Sequence, residues 1–128
     1  MTQAKESMRA CRATILVVDD DALISMSTAA MLEDLGHAVI EVSYGEKALK
    51  ILSGATRVDL VLTDYAMPGM NGADLAMRIR KSHPDLPVLL ATGYADLPDG
   101  LTIDLPRLGK PYNQSQLAGH IAKLLLER

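Results

Sequence analysis

The stretch Val58-Asp59-Leu60-Val61-Leu62-Thr63-Asp64-Tyr65-Ala66-Met67-Pro68-Gly69-Met70-Asn71-Gly72 decides how the rest of the chain is read. Val58 to Leu62 is a short, almost unbroken run of Val and Leu, the composition of a strand covered on both faces in a parallel sheet. The run leads into Asp64, so it delivers an acid to the carboxyl edge of the strand, where open α/β sheets bind their ligands. Pro68, Gly69 and Gly72 are turn formers, and Asn71 suits the N-cap of a helix starting near Ala73. Taken alone, Asp64 is equally readable as an acid that merely ends a strand.

Working outward, the same pattern recurs. Ile15-Leu16-Val17-Val18 is a second fully apolar run, and it ends in Asp19-Asp20-Asp21. Leu23 to Leu35 follows a helical period with Ile24, Met31, Leu32 and Leu35, and Thr28 between them, on one face and Gly36 as its stop. Ala38 to Val42 holds one charge, Glu41, which predicts an edge strand. Ser43 and Glu46 form a capping-box pattern for a helix with Ala48, Leu49 and Leu52 inward, closed by Gly54. After the central strand, Leu75, Ile79 and Met77 are expected to face inward on a helix that stops before His83-Pro84, with His83 a surface residue. Val88 to Ala91 reads as a buried strand ending in Thr92-Gly93. Leu105 to Leu108, with Pro106 inside it, reads as an edge strand followed by Lys110-Pro111. Asn113 and Gln116 match a cap pair for a last helix with Leu117, Ile121, Leu124 and Leu125 inward.

Five strands alternating with helices predict an α/β fold: a flavodoxin-like (βα)5 three-layer sandwich with a parallel five-stranded sheet in the order 2-1-3-4-5. That order places strands one and three side by side, so Asp19, Asp20 and Asp64 converge in one crevice. A chain of 128 residues fits one domain, expected over residues 13–128 behind a flexible N-terminal lead over residues 1–12. It carries 48% hydrophobic residues but no Phe or Trp, which predicts an aliphatic, Met-filled core. The net charge of -3 provides no basic footprint for direct nucleic-acid binding. The single Cys11 forms no internal disulfide, and neither a long apolar run nor a signal-peptide pattern is present, so a cytoplasmic protein without a membrane span is expected. No linker or output domain is expected after the last helix, and a monomer or weak dimer is expected.

The converging carboxylates repel one another unless a cation is present, and oxygen ligands at such a site suit Mg²⁺. A carboxylate beside Mg²⁺, with a Lys and a hydroxyl from strands four and five, can attack phosphorus because the cations neutralise charge growing on the phosphoryl oxygens. Asp64 is then the nucleophile, with Lys110 and Thr92 on the phosphoryl oxygens.

Val18-Asp19-Asp20-Asp21, Asp64 to Gly72, Thr92-Gly93 and Lys110-Pro111 together resemble the receiver domain of bacterial two-component response regulators, over about Thr14 to Leu126. The resemblance implies that Asp64 accepts a phosphoryl group from a sensor histidine kinase or a histidine phosphotransfer protein, as one step of a phosphorelay. It implies that Asp20, Asp64 and the Ala66 carbonyl hold Mg²⁺, with Asp19 acting mainly through water, and that Thr92 and Lys110 bind the phosphoryl oxygens. Such a domain is no enzyme beyond its own phosphorylation and dephosphorylation. Asp21 is left as a residue of the helix start. The Lys110-Pro111 bond is expected to be cis, and a kinase or phosphotransfer helix is expected beside Ala22, Leu23 and Met26.

Two departures stand out. Arg107 holds the place, three before the lysine, where the family usually carries an aromatic switch residue. The Tyr94 to Pro106 stretch is short and broken by Pro and Gly, as in receivers with an Ala-Thr-Gly-Tyr stretch found as single-domain regulators or attached to hybrid kinases. Tyr94 is therefore the expected switch residue, with Tyr94 to Pro106 ordering on phosphorylation. Two other readings remain open at this point. One is a Mg²⁺-dependent aspartyl-phosphate hydrolase similar to the haloacid dehalogenase superfamily, although Asp19 and Asp21 lack its following Gly-Thr. The other is a pseudo-receiver binding module that is not phosphorylated.

Overall fold

Apolar residues on both faces of a strand need cover on both faces, and the strands of this chain are built that way. The fold is that of a computed structural model describing residues 12–93 and 105–127. Its five parallel strands are β1 (Thr14–Val18), β2 (Ala38–Val42), β3 (Leu60–Asp64), β4 (Val88–Thr92) and β5 (Arg107–Gly109), in the order β2-β1-β3-β4-β5. Among the described residues the helices are α1 (Ala22–Asp34), α2 (Gly45–Leu52), α3 (Gly72–Ser82) and α4 (Gln114–Glu127). Successive side chains of a strand point to opposite faces. Ile15 and Val17 accordingly join Leu32, Leu62, Leu117 and Ile121 in a core under α1 and α4. Leu16 and Val18 join Val61, Leu52, Leu75 and Ile79 in a second core under α2 and α3. These two cores and the sheet between them are the expected three layers, and β2 and β5 are the expected edges.

Local signals explain most element boundaries. Asp21 is the N-cap of α1, accepting hydrogen bonds from the Leu23 and Ile24 amides. Gly36, at φ 99°, ends that helix: its amide donates to the Glu33 carbonyl and the His37 amide to the Leu32 carbonyl, a Schellman arrangement. Asn71 caps α3 in a reciprocal capping box with Asp74. Asn113 and Gln116 exchange the same pair of bonds at the start of α4.

Five expectations are corrected, the first being the last strand, which runs Arg107–Gly109 and leaves Leu105 and Pro106 before it. The Ser43–Glu46 capping box does not form: α2 starts at Gly45 with Tyr44 at its N-cap and no side-chain cap bond. The buried face of α1 consists of Ser25, Thr28, Ala29 and Leu32, while Ile24 is exposed. Met77 is also exposed, and Ala76 takes the inward position. The central strand runs two residues later than read, so Asp64 is its last residue and Asp59 precedes it. The buried Asp59 carboxylate instead accepts the Thr14 amide at 2.9 Å and pairs with Arg57 at 3.2 Å. The expected N-terminal lead, apart from Arg12, and Tyr94 with residues 95–104 lie outside the described residues.

His37 ties the start of β1 to the end of α1, its Nδ1 accepting the Ala13 amide at 3.0 Å. That bond needs an unprotonated Nδ1, and burial lowers the His37 pKa below the ordinary histidine value. The unfolded chain therefore takes up the proton more readily than the folded one. This contribution to stability is present above the ordinary value of about 6.5 and is lost as pH falls through the folded pKa. Urea unfolding between about pH 7 and pH 5 should show the parent chain losing more stability than His37→Gln, and parallel curves would contradict the assignment.

Candidate functional site

The carboxyl edge of the sheet gathers the acids. The registers of β1 with β3, Val18 beside Thr63, and of β3 with β4, Asp64 beside Ala91, bring Asp19, Asp64 and Thr92 to adjacent strand ends. Carboxylate oxygens of Asp19, Asp20 and Asp64 all lie within 4.8 Å of one another, with Asp19 and Asp64 buried and Asp20 exposed. Opposite oxygens around Mg²⁺ stand about 4.2 Å apart, so the cluster matches a hard divalent cation in donor type and in span. Among the described residues it is the only such group.

Two features shape the edge. The Asp19 amide donates to the Val42 carbonyl at 3.1 Å, and Asp19 Oδ1 accepts the Asp21 amide at 2.9 Å, which turns the chain from β1 into α1. After β3, the Gly72 amide donates to the Tyr65 carbonyl at 2.9 Å and folds the loop back against the strand. A Cβ at Gly72 would collide with the Asp64 carbonyl oxygen and lie 2.6 Å from Leu90 Cδ1. Only glycine admits so close a return. Ala66 sits exposed on this loop, two residues beyond Asp64.

Lys110 enters from the far side. Its amide donates to the Thr92 carbonyl at 2.8 Å, and the Lys110-Pro111 bond is cis as expected. Its Nζ is 2.7 Å from Asp64 Oδ1 and 3.8 Å from Asp19 Oδ2. Burial works against the Lys110 charge, but the hydrogen bond to Asp64 and the charges of Asp64 and Asp19 outweigh it, so its pKa lies above the ordinary lysine value. Burial raises the Asp19 pKa, with Asp64 and Asp20 adding to the rise and the Asp21 amide and Lys110 opposing it. Three acids and one ammonium leave the cluster short of positive charge, the condition that favours a bound cation. The structure thus brings Asp19, Asp20, Asp64, Thr92 and Lys110 together.

The comparisons with known proteins agree with this geometry. The family model for the response regulator receiver domain matches residues 15–121. This chain belongs to that family. The receiver is 34% identical over 120 residues to "Sensor kinase CckA" of Brucella abortus, covering 88% of this chain and 12% of that kinase. It is 33% identical over 116 residues to "Response regulator receiver protein CpdR" of the same organism, covering 88% of this chain and 96% of that protein. The chain thus spans a small part of one relative and nearly all of the other. The response regulator protein TrrA of Thermotoga maritima, solved in complex with Mg²⁺-BeF, superposes with a TM-score of 0.77 at 34% identity, covering 88% of this chain and 98% of that one. The flavodoxin-like receiver architecture and a place in two-component signalling follow, and the hydrolase reading falls away with them. Among the described residues no helix is long and apolar enough to cross a membrane.

One pair went unforeseen. Tyr112, two residues after Lys110, bonds through its hydroxyl to Thr28 of α1 at 2.6 Å. No local pattern signals a contact between residues 84 positions apart.

Proposed function

We propose that this receiver takes a phosphoryl group onto Asp64 from the phosphohistidine of a sensor histidine kinase or a histidine phosphotransfer protein. One observation carries the reading: Asp64 ends β3 inside the acidic cluster with Lys110 Nζ on its Oδ1. A carboxylate oxygen of Asp64 attacks phosphorus, the P–N bond to the imidazole breaks, and the histidine leaves with the electron pair and takes up a proton. The product is an acyl phosphate on Asp64, which water later cleaves to inorganic phosphate and the free carboxylate. Lys110 and the Thr92 hydroxyl hold phosphoryl oxygens as charge grows on them. Asp20, Asp64 and the Ala66 carbonyl would hold Mg²⁺, with Asp19 acting mainly through water. When bound, the ion neutralises charge on the carboxylates and the phosphoryl group.

On this reading the receiver unit is residues 13–128, catalysis is confined to its own phosphorylation and dephosphorylation, and it works in the cytoplasm, where kinases load their histidines. It acts as a monomer or weak dimer without contacting nucleic acid. The donor docks on the exposed residues Ala22, Leu23 and Met26 of α1, where Leu23 is 78% and Met26 62% exposed. Phosphotransfer against the histidine kinases of the host tests the reading. One kinase should load the chain fast, and Met26→Glu should slow that transfer about tenfold while leaving uptake from acetyl phosphate unchanged. Equal transfer by parent and variant would remove the docking surface from the account, and no transfer from any kinase would remove the donor class.

A further inference from the structure

We infer that Tyr112 is a positioning residue for Lys110, its hydroxyl clasping the turn that carries the lysine to α1, the helix that begins at the acidic cluster. The inference rests on the role proposed above for Lys110. The turn is held on two sides. Toward the sheet, the Lys110 amide is bonded to the Thr92 carbonyl at 2.8 Å. Toward α1, the Tyr112 hydroxyl meets Thr28 Oγ1 at 2.6 Å, and Gln114 Nε2 donates to the Met31 carbonyl at 3.0 Å and to Asp34 Oδ2 at 2.9 Å.

The two tethers differ in kind. Asp34 is exposed, so the Gln114 bond to it competes with water. Thr28 is 2% exposed, and the Tyr112 ring packs against the core beside it. A buried hydroxyl without its partner is costly, so each of these two groups holds the other in place. Burial also raises the Tyr112 pKa, so the phenol keeps its proton throughout the neutral range. Nothing of this kind is needed to fill space, since a Phe ring would pack in the same place.

The consequence falls on the lysine. Lys110 Nζ acts at 2.7 Å from Asp64, and catalytic groups lose much of their effect when displaced by about 1 Å. Helix α1 starts from Asp21, immediately after the metal-ligand candidates, so a clasp to α1 fixes the distance between the positive and negative halves of the site. Its sequence position separates it from the place of Arg107, where no aromatic ring is available to govern the same loop.

The test uses Tyr112→Phe and Thr28→Val in the whole chain, each also combined with Lys110→Ala. In the parent background each variant should slow phosphorylation by acetyl phosphate in saturating Mg²⁺ about tenfold, the size of one lost net hydrogen bond. In the Lys110→Ala background the same changes should have no further effect, because the clasp acts through the lysine. A general loosening of the fold would slow both backgrounds alike, and that result overturns the inference, as does an unchanged rate in the parent background. NMR relaxation of the Lys110 side chain in the unphosphorylated protein provides a readout independent of phosphotransfer. Tyr112→Phe should make that side chain more mobile, and equal mobility overturns the clasp even if the parent chain takes up no phosphate, a result that would separately remove the phosphoacceptor reading.

Discussion

Asp64→Asn takes up no phosphoryl group from acetyl phosphate under conditions that label the parent chain fully. The amide has the shape of the carboxylate but a weakly nucleophilic oxygen, so it cannot attack phosphorus to form an acyl phosphate. The variant should still fold. Its Oδ1 can accept the bond now made by Lys110 Nζ at 2.7 Å, and the change removes one of three mutually repelling charges within 4.8 Å. A folded variant with background labelling by intact mass is therefore the expected pair of results. Labelling at the parent level would move the phosphoacceptor elsewhere.

Asp20→Ala should separate metal binding from folding. Asp20 is the exposed member of the cluster, whereas Asp19 and Asp64 are buried. Removing it leaves two acids, one of them paired closely with Lys110, and so leaves the cation with little uncompensated charge. Mg²⁺ affinity should fall by more than the roughly 10- to 100-fold lost when only a supporting group is removed. The metal-free variant should be at least as stable as the parent, because a like charge has been taken from the cluster. Mg²⁺ titration and urea unfolding on the same preparations check both halves. Unchanged affinity would exclude Asp20 as a ligand, and a large loss of stability would make it a structural acid.

Much of this site could be read along the chain because strand ends are local features. The runs before Asp19 and Asp64 are apolar on both faces, which suits strands of a covered parallel sheet, and the flavodoxin-like order of such a sheet brings the two strand ends and their acids together. The Asn71 and Asn113 caps were equally legible, since each depends on a partner three residues away. What escaped depends on partners distant in sequence. Helix α1 turns Ser25 inward because Glu41 awaits it at 2.9 Å, and a hydrophobic period that includes Thr28 still cannot name the Tyr112 hydroxyl that meets it at 2.6 Å. Exposed Met77 failed for the related reason that small Ala76, not the longer Met77, takes the buried position on α3. The strand boundary near Asp59 shifted because a buried carboxylate satisfied by the Thr14 amide looks, in sequence, like any other polar residue in an apolar run.

Borohydride trapping measures directly whether Asp64 is the one residue carrying the phosphoryl group. The chain is phosphorylated with acetyl phosphate and Mg²⁺, then reduced, which converts the acyl phosphate carbon to an alcohol, and the product is digested and mapped by peptide mass. The alcohol is expected at Asp64 alone, absent when a chelator is present during phosphorylation. Reduction at Asp19 or Asp20, or at Asp64 undiminished by the chelator, would contradict it.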